Sequence, residues 1–202
     1  MARYTGPRQK KSRRYGVALF GPSKALERRN FPPGVHGEKG NRKKSDYAIG
    51  LAEKQKLRIM YGLLERQFRG YFEEAARRRG VTGLNLLQIL ELRLDNVVFR
   101  LGFANSRRAA RQMVTHGHIK VNGRKANSPS FQTKPGNVIE GKPTPTTQRM
   151  VTKGLELTQI APIPEWLTVD KEHFKGEVKR VPSREEIAPI VNEQLVVEFY
   201  SR

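Results

Sequence analysis

The chain has 202 residues, 39 of them Lys or Arg and 19 Asp or Glu, which gives a formal net charge of +20 and a sequence pI near 10.7. It holds no cysteine, so disulfides, thiol catalysis and cysteine-based zinc sites are excluded together, and a cytoplasmic setting fits. No apolar run approaches the roughly 20 residues of a membrane span, and the chain start lacks a signal-peptide core, so nucleic acid is favoured over lipid as the polyanionic partner.

The charge is uneven. The first 44 residues carry 13 basic and 2 acidic side chains among Gly and Pro, with FPPGVHG at 31–37, and they predict an extended basic arm that wraps a partner rather than packing. From Ser45 to about Arg79, Ile49, Leu51, Leu57, Ile59, Met60, Leu63, Leu64, Phe68, Tyr71 and Phe72 recur at helical spacing, with Gly62 and Gly70 as expected breaks or close approaches. A further helix after Thr82-Gly83 has Leu84, Leu87, Leu90, Leu94, Val97, Val98 and Leu101 as its expected buried side. Hydrophobic residues make up only 37% of the chain and mean hydropathy is -0.66, so the core is modest.

Residues 93–123, RLDNVVFRLGFANSRRAARQMVTHGHIKVNG, are the most informative stretch. Asn105 and Ser106 suit a helix start and Gly117 a left-handed helix end, which predicts a helix over 106–116. Arg107, Arg108 and Arg111 then lie within about 100° of one another, opposite Ala109, Ala110, Met113 and Val114. Ile119 and Val121 alternate with His118 and Lys120, and Asn122-Gly123 predicts a two-residue hairpin turn. A solvated face normally mixes charge signs, yet 102–139 holds seven Lys and Arg and no Asp or Glu. A polyanion is the economical explanation, and the pattern reads as an RNA-binding surface.

Beyond the hairpin, Lys134-Pro135-Gly136-Asn137 predicts a turn into a short strand at 138–140, and Lys142-Pro143-Thr144-Pro145 a loop. Strands are expected from there to about Val181. Ser183 with Glu186 suits a capping box, and 195–200 alternates as a closing strand or a packed tail.

Catalytic chemistry is not legible. His116 and His118 would put two rings on one strand face, but no Cys or carboxylate between 102 and 139 could complete a metal site. His36 and His173 have no partner set for nucleophilic catalysis, and phosphate-loop, nucleophile-elbow and His-Glu-x-x-His patterns are missing. Arg93-Leu94-Asp95 is similar to a tripeptide of RNA pseudouridine synthases, but inside an apolar helix Asp95 reads as an arginine's partner. Trp166 reads as a core anchor rather than a base-stacking platform.

The 93–123 stretch resembles the S-four RNA-binding motif. The resemblance extends through ARYTGP, FPPGVHG, EKQKLR, YGLLERQFRGYF and NEQLVVEFYS to the bacterial S-four family of small-subunit ribosomal proteins, in order and over nearly the whole length. The motif alone also occurs in tyrosyl-tRNA synthetases, pseudouridine synthases and a heat-shock protein, which lack the arm and the EKQK helix.

The resemblance implies an α+β protein: a basic N-terminal arm and helical domain, with an inserted helix-plus-β-hairpin RNA-binding module and a small, mostly antiparallel sheet. The implied boundaries are an arm at 1–44, a helical domain at 45–92 completed by a tail at 182–202, and an RNA-binding domain at 93–181 with its core module at 93–140. The implied function is not enzymatic. It is binding of the five-prime domain of 16S-type ribosomal RNA early in small-subunit assembly, beside neighbouring ribosomal proteins near the channel that messenger RNA enters, with effects on decoding accuracy. Messenger RNA itself is a possible partner; a small-molecule substrate is not expected.

The expected RNA contacts are Arg3, Lys10, Lys11, Arg13, Arg14, Arg28, Arg29, His36, Arg42, Lys43 and Lys44 in the arm. Lys54, Arg58, Arg66 and Arg69 are expected in the helical domain, and Arg107, Arg108, Arg111, His116, His118, Lys120 and Arg124 in the module. Many family members carry a four-cysteine zinc site in the arm. This chain has Gln9, Ser12 and Lys24 near those places, and no zinc or other cofactor is expected.

Overall fold

The computed structural model describes residues 4–37, 45–158, 162–187 and 191–201. In chain order the elements are α1 (Arg8–Tyr15), α2 (Lys24–Arg28), α3 (Asp46–Met60), α4 (Glu65–Arg77), α5 (Thr82–Glu91), α6 (Leu94–Arg100), α7 (Arg107–Thr115), β1 (Ile119–Val121), β2 (Arg124–Lys125), β3 (Val138–Gly141), α8 (Pro145–Leu157), β4 (Leu167–Asp170), β5 (Lys175–Val178) and α9 (Glu193–Ser201). They form two compact units, residues 1–85 with 188–202, and residues 86–187.

In the first unit the arm is not extended where it is described, because α1 and α2 form within it. Gly16, at φ 65°, ends α1 in the left-handed conformation. The Ser23 hydroxyl donates to Gln9 Oε1 at 2.5 Å, tying α2 to α1, and Ser12 and Leu19 are buried beneath them. Ser45 caps α3 by accepting from the Ala48 N–H at 3.3 Å. Gly62, at φ 67°, separates α3 from α4 as expected, whereas α4 runs through Gly70.

Of the two readings of 195–200 the packed tail holds, and it is helical. The Asn192 side chain accepts from the N–H groups of Gln194 and Leu195, opening α9. It packs on α3, where the backbone of Leu195 and the ring of Phe199 lie beside Gly50. Tyr47 meets Phe199 at 5.3 Å and Phe72 stacks on Tyr200 at 4.5 Å between ring centroids. At the centre of this packing the Lys54 ammonium lies 2.6 Å from Glu65 and over the rings of Phe199 and Tyr200 at 5.0 and 5.5 Å.

Partial burial alone would raise the Glu65 carboxyl. Hydrogen bonds from Lys54 and Tyr200, with the charges of Lys54 and Arg58, outweigh that and hold it below the ordinary carboxylate value. Tyr200 is pushed up, first by burial and then by donating to Glu65.

In the second unit one core holds Leu94, Val97, Val98, Leu101 and Phe103 of the α6 region, Ala110, Met113 and Val114 of α7, and Ile119, Ile139, Val151, Trp166 and Val178. Trp166 is a core residue, 1% exposed. All pairings of the five-stranded sheet are antiparallel, in the order β2-β1-β3-β5-β4.

Two expectations fail here for tertiary reasons. The helix expected to run from Thr82 through Leu101 breaks at Arg93, whose extended backbone (φ -66°, ψ 137°) bridges to Gln132. The backbone N–H and hydroxyl of Thr133 both donate to the Leu92 carbonyl, and the first amides of α6 donate to Phe131 and Pro129 carbonyls. The loop thereby replaces a side-chain cap. The loop expected at 142–145 holds as far as Thr144, but α8 then opens at Pro145 where strands were expected, and strands return only as β4 and β5. α8 crosses so close to 102–103 that a Cβ on Gly154 would strike the Phe103 carbonyl.

Gly154→Ala should destabilise the protein by about 1–3 kcal/mol, read as a lower midpoint in urea, because backbone rather than a movable side chain blocks the methyl. The depressed Glu65 carboxyl contributes stability that is fully present above its ordinary pKa of 4.5 and is lost as pH falls below it. Melting curves between pH 3 and 6 should therefore lose part of their acid sensitivity in Glu65→Gln.

Candidate nucleic-acid interface

The helix α7 is held at both ends by local chemistry. Ser106 accepts from the Ala109 N–H at 3.3 Å, so Ser106 rather than Asn105 is the cap. At the other end Gly117 has φ 74°, its N–H bonds the Val114 carbonyl, and the His118 N–H reaches back to Met113 at 3.0 Å. That pair of bonds is a Schellman closure, and it turns the chain directly into β1. Asn122 (φ 49°) and Gly123 (φ 76°) then make the mirror-image two-residue turn into β2. Asn122 also ties the turn to β3: its side chain accepts from the Val138 N–H at 2.8 Å and its own N–H bonds the Val138 carbonyl at 2.8 Å.

The three arginines of α7 have three different environments. Arg108 is exposed. Arg107 is half-buried, donating from Nε to Asn96 Oδ1 at 2.7 Å with its guanidinium 4.8 Å above the Phe99 ring. Arg111 is buried, 3.7 Å from Asp95 Oδ2, and Asp95 is already gripped by the fully buried Arg93 through bonds of 3.1 and 2.8 Å. Asp95 therefore serves two arginines. A second carboxylate, Glu91, is also buried; it accepts from Arg100 at 3.0 and 2.7 Å and from the Asn96 amide at 2.7 Å. The basic helix is thus fastened to α5 and α6 by two buried carboxylates.

Of the remaining module residues, His116 and Arg124 are exposed, while His118 and Lys120 are half-buried. The His118 Nδ1 lies 2.9 Å from the Thr147 hydroxyl of α8, and the two histidine rings are 6.3 Å apart. Among the described residues no group of three or more His, Asp or Glu could hold a metal ion. Register places Lys120 between Lys125 and Glu140, with Lys175 beyond, so this row alternates in sign away from the hairpin. Lys125, which is not among the residues expected from sequence, is exposed on β2, and its stem packs against Gly117. The β2 pairing is the signal that identifies it.

In the first unit Lys10, Arg14, Arg28, Arg29, His36, Arg66 and Arg69 are exposed, Arg69 with Glu73 at 3.2 Å, and Lys11, Arg13 and Arg58 are half-buried. Arg13 donates to the Arg29 carbonyl at 3.2 Å and lies over Phe31 at 4.9 Å; Lys11 lies over Tyr4. Arg58 donates to Gln55 and approaches Glu65 at 3.5 Å. Lys54 is 6% exposed, its charge spent on Glu65. Arg3, Arg42, Lys43 and Lys44 lie outside the described residues.

A basic helix and hairpin on a rigid small sheet, with its carboxylates turned inward, defines an RNA-binding protein that works by charge and shape. The family model described as "Ribosomal protein S4/S9 N-terminal domain" matches residues 3–91, and "S4 domain" matches residues 92–139. Proteins named "Small ribosomal subunit protein uS4" are 64% identical in Akkermansia muciniphila, 55% in Opitutus terrae and 51% in Thermus thermophilus, each over 100% of both chains. The chain belongs to this uS4 family of small-subunit ribosomal proteins, which are structural and not enzymes.

Asp95→Ala should leave Arg93 and Arg111 buried without their shared carboxylate and cost about 3–5 kcal/mol, measured by chemical denaturation. A change below about 1 kcal/mol would show that the carboxylate does not anchor α7.

Proposed function

We propose that the protein binds the five-prime domain of 16S-type ribosomal RNA and holds a junction of helices there, nucleating small-subunit assembly in the cytoplasm. In this reading it sits beside neighbouring small-subunit proteins near the channel that messenger RNA enters, touches messenger RNA, and affects decoding accuracy. No cofactor takes part. The labour divides along the chain: the arm at 1–44 and the helical region at 45–92 with the tail at 182–202 grip one part of the RNA, and 93–181 grips another.

The observation that carries the reading is the α7–hairpin surface. Arg108, His116, Arg124 and Lys125 are exposed on it, and no carboxylate occurs between 102 and 139. Duplex RNA hides its base edges in a deep major groove, so phosphates, 2'-hydroxyls and shape are what such a surface meets. Arginine suits this role because its planar fork grips phosphate with two bonds and still stacks on a base. Lys10, Arg14, Arg28, Arg29, His36, Arg66 and Arg69 supply further exposed cationic or polar groups. The partly buried Lys11, Arg13, Arg58, Arg107, His118 and Lys120 act at the edges of the grip. Buried Lys54 and Arg111 contribute through field and scaffold.

The test is a filter-binding salt titration against the folded five-prime domain, with transfer RNA as competitor. Wild type should bind saturably and resist the competitor, losing on the order of 10³–10⁵ in affinity between about 50 and 200 mM salt if six to ten phosphates are met. Replacing Arg108, Arg124 and Lys125 together by Ala should flatten the salt slope by about one for each phosphate no longer gripped. Equal affinity for both RNAs would mean a generic polyanion surface and would sink the ribosomal reading.

A further inference from the structure

We infer that Asn96 is a positioning residue for RNA binding, acting through Arg107 under the control of Glu91. The inference rests on the RNA-binding reading above and adds a specific device to it.

Asn96 is 1% exposed and touches no solvent-facing surface of its own, yet its amide is fully engaged. Its Nδ2 donates to the Glu91 carbonyl at 2.9 Å and to Glu91 Oε2 at 2.7 Å. Flipping the amide would set its oxygen against two acceptors and its NH₂ against the Arg107 N–H, so only one orientation satisfies the site. Glu91 is itself immobilised by two bonds from Arg100. The Asn96 oxygen is therefore aimed outward as a fixed acceptor, and Arg107 Nε takes it at 2.7 Å.

Phe99 supports the guanidinium from below at 4.8 Å, so one edge and one face of the group are set by the protein. An arginine with several rotatable bonds is thereby held at the start of α7, beside exposed Arg108, before RNA arrives. Ordering such a side chain is a cost of association, and here folding has already met it. Lysine could not reproduce the arrangement, since it has no planar guanidinium that can dock an Nε–H on Asn96 and lie over Phe99 at once.

The device is tested by a double-mutant cycle on affinity for the folded five-prime domain, measured well below the melting temperature of each variant. Asn96→Ala and Arg107→Ala should each weaken binding about tenfold, and the double variant should be no weaker than Arg107→Ala alone. Arg107→Lys should lose as much as Arg107→Ala. As a control, Asn96→Ala with Arg108→Ala should lose the product of the two single effects. Phe99→Leu, which keeps a hydrophobic side chain of similar depth, should behave like Asn96→Ala in the same cycle and serves if Asn96→Ala fails to fold. If the effects of Arg107→Ala and either supporting substitution multiply while wild type still binds selectively, the positioning role is overturned alone. If wild type does not prefer the five-prime domain over transfer RNA, the RNA reading fails and this inference fails with it.

Discussion

Two buried carboxylates, Glu91 and Asp95, are the constraint on which the second unit depends. Each is nearly inaccessible to water, and each lies against arginines that the net charge of +20 supplies in excess. A buried carboxylate without a partner would be costly, and so would a buried guanidinium; set against one another, each offsets the other's burial. Through Asp95 this pairing reaches Arg93 and Arg111, and through Glu91 it reaches Arg100, Asn96 and Arg107. The basic helix is therefore placed by charge pairing on one side and by Ala110, Met113 and Val114 on the other.

This arrangement separates two uses of arginine that look identical in sequence. Arg111 and Arg93 are scaffold, Arg107 is held between scaffold and surface, and Arg108 faces water. The same separation recurs in the first unit. Lys54 is enclosed by Glu65, Phe199 and Tyr200 and fastens the tail helix to α3, while Arg66 and Arg69 stay outside. A strongly basic protein with a modest core gains specificity of fold by spending its few acids on chosen cations. In the arm, where no thiol is present, the Ser23–Gln9 bond and the packing of Arg13 on Arg29 and Phe31 do the local tying.

Much of the site was legible locally. The α7 start at Ser106, the left-handed Gly117, the Asn122-Gly123 turn and the Gly62 break are each dictated by residues within a turn of the feature. The family resemblance rested on whole segments in order along the chain, and the class of fold was what that resemblance implied. The misreadings have separate causes. The break at Arg93 is imposed by 129–133, more than thirty residues away, whose carbonyls and Thr133 take the place of continued helical bonds. α8 was hidden because Pro143 and Pro145 read as loop, although a proline in the first helical turn is compatible with helix. For the tail the pattern at 195–200 fits either a strand or a packed tail, and Asn192 with packing on α3 decides for a packed helix. The arm's helices were masked by its polar, basic composition.

The sequence by itself determined that the partner is a polyanion, that residues 106–125 form a helix and hairpin, and that carboxylates are kept off that stretch. Those are properties of composition, period and turn chemistry, and they need no knowledge of distant neighbours. Tertiary structure alone decided which cations remain available. Periodicity put Arg107, Arg108 and Arg111 on one side of a helix, but only the packing of α6 against α7 brought Asp95, Asn96 and Phe99 to that side. Strand register likewise brought Glu140 beside Lys120 from outside the acid-free stretch. Charge is written residue by residue, whereas its burial depends on what the rest of the chain folds against it.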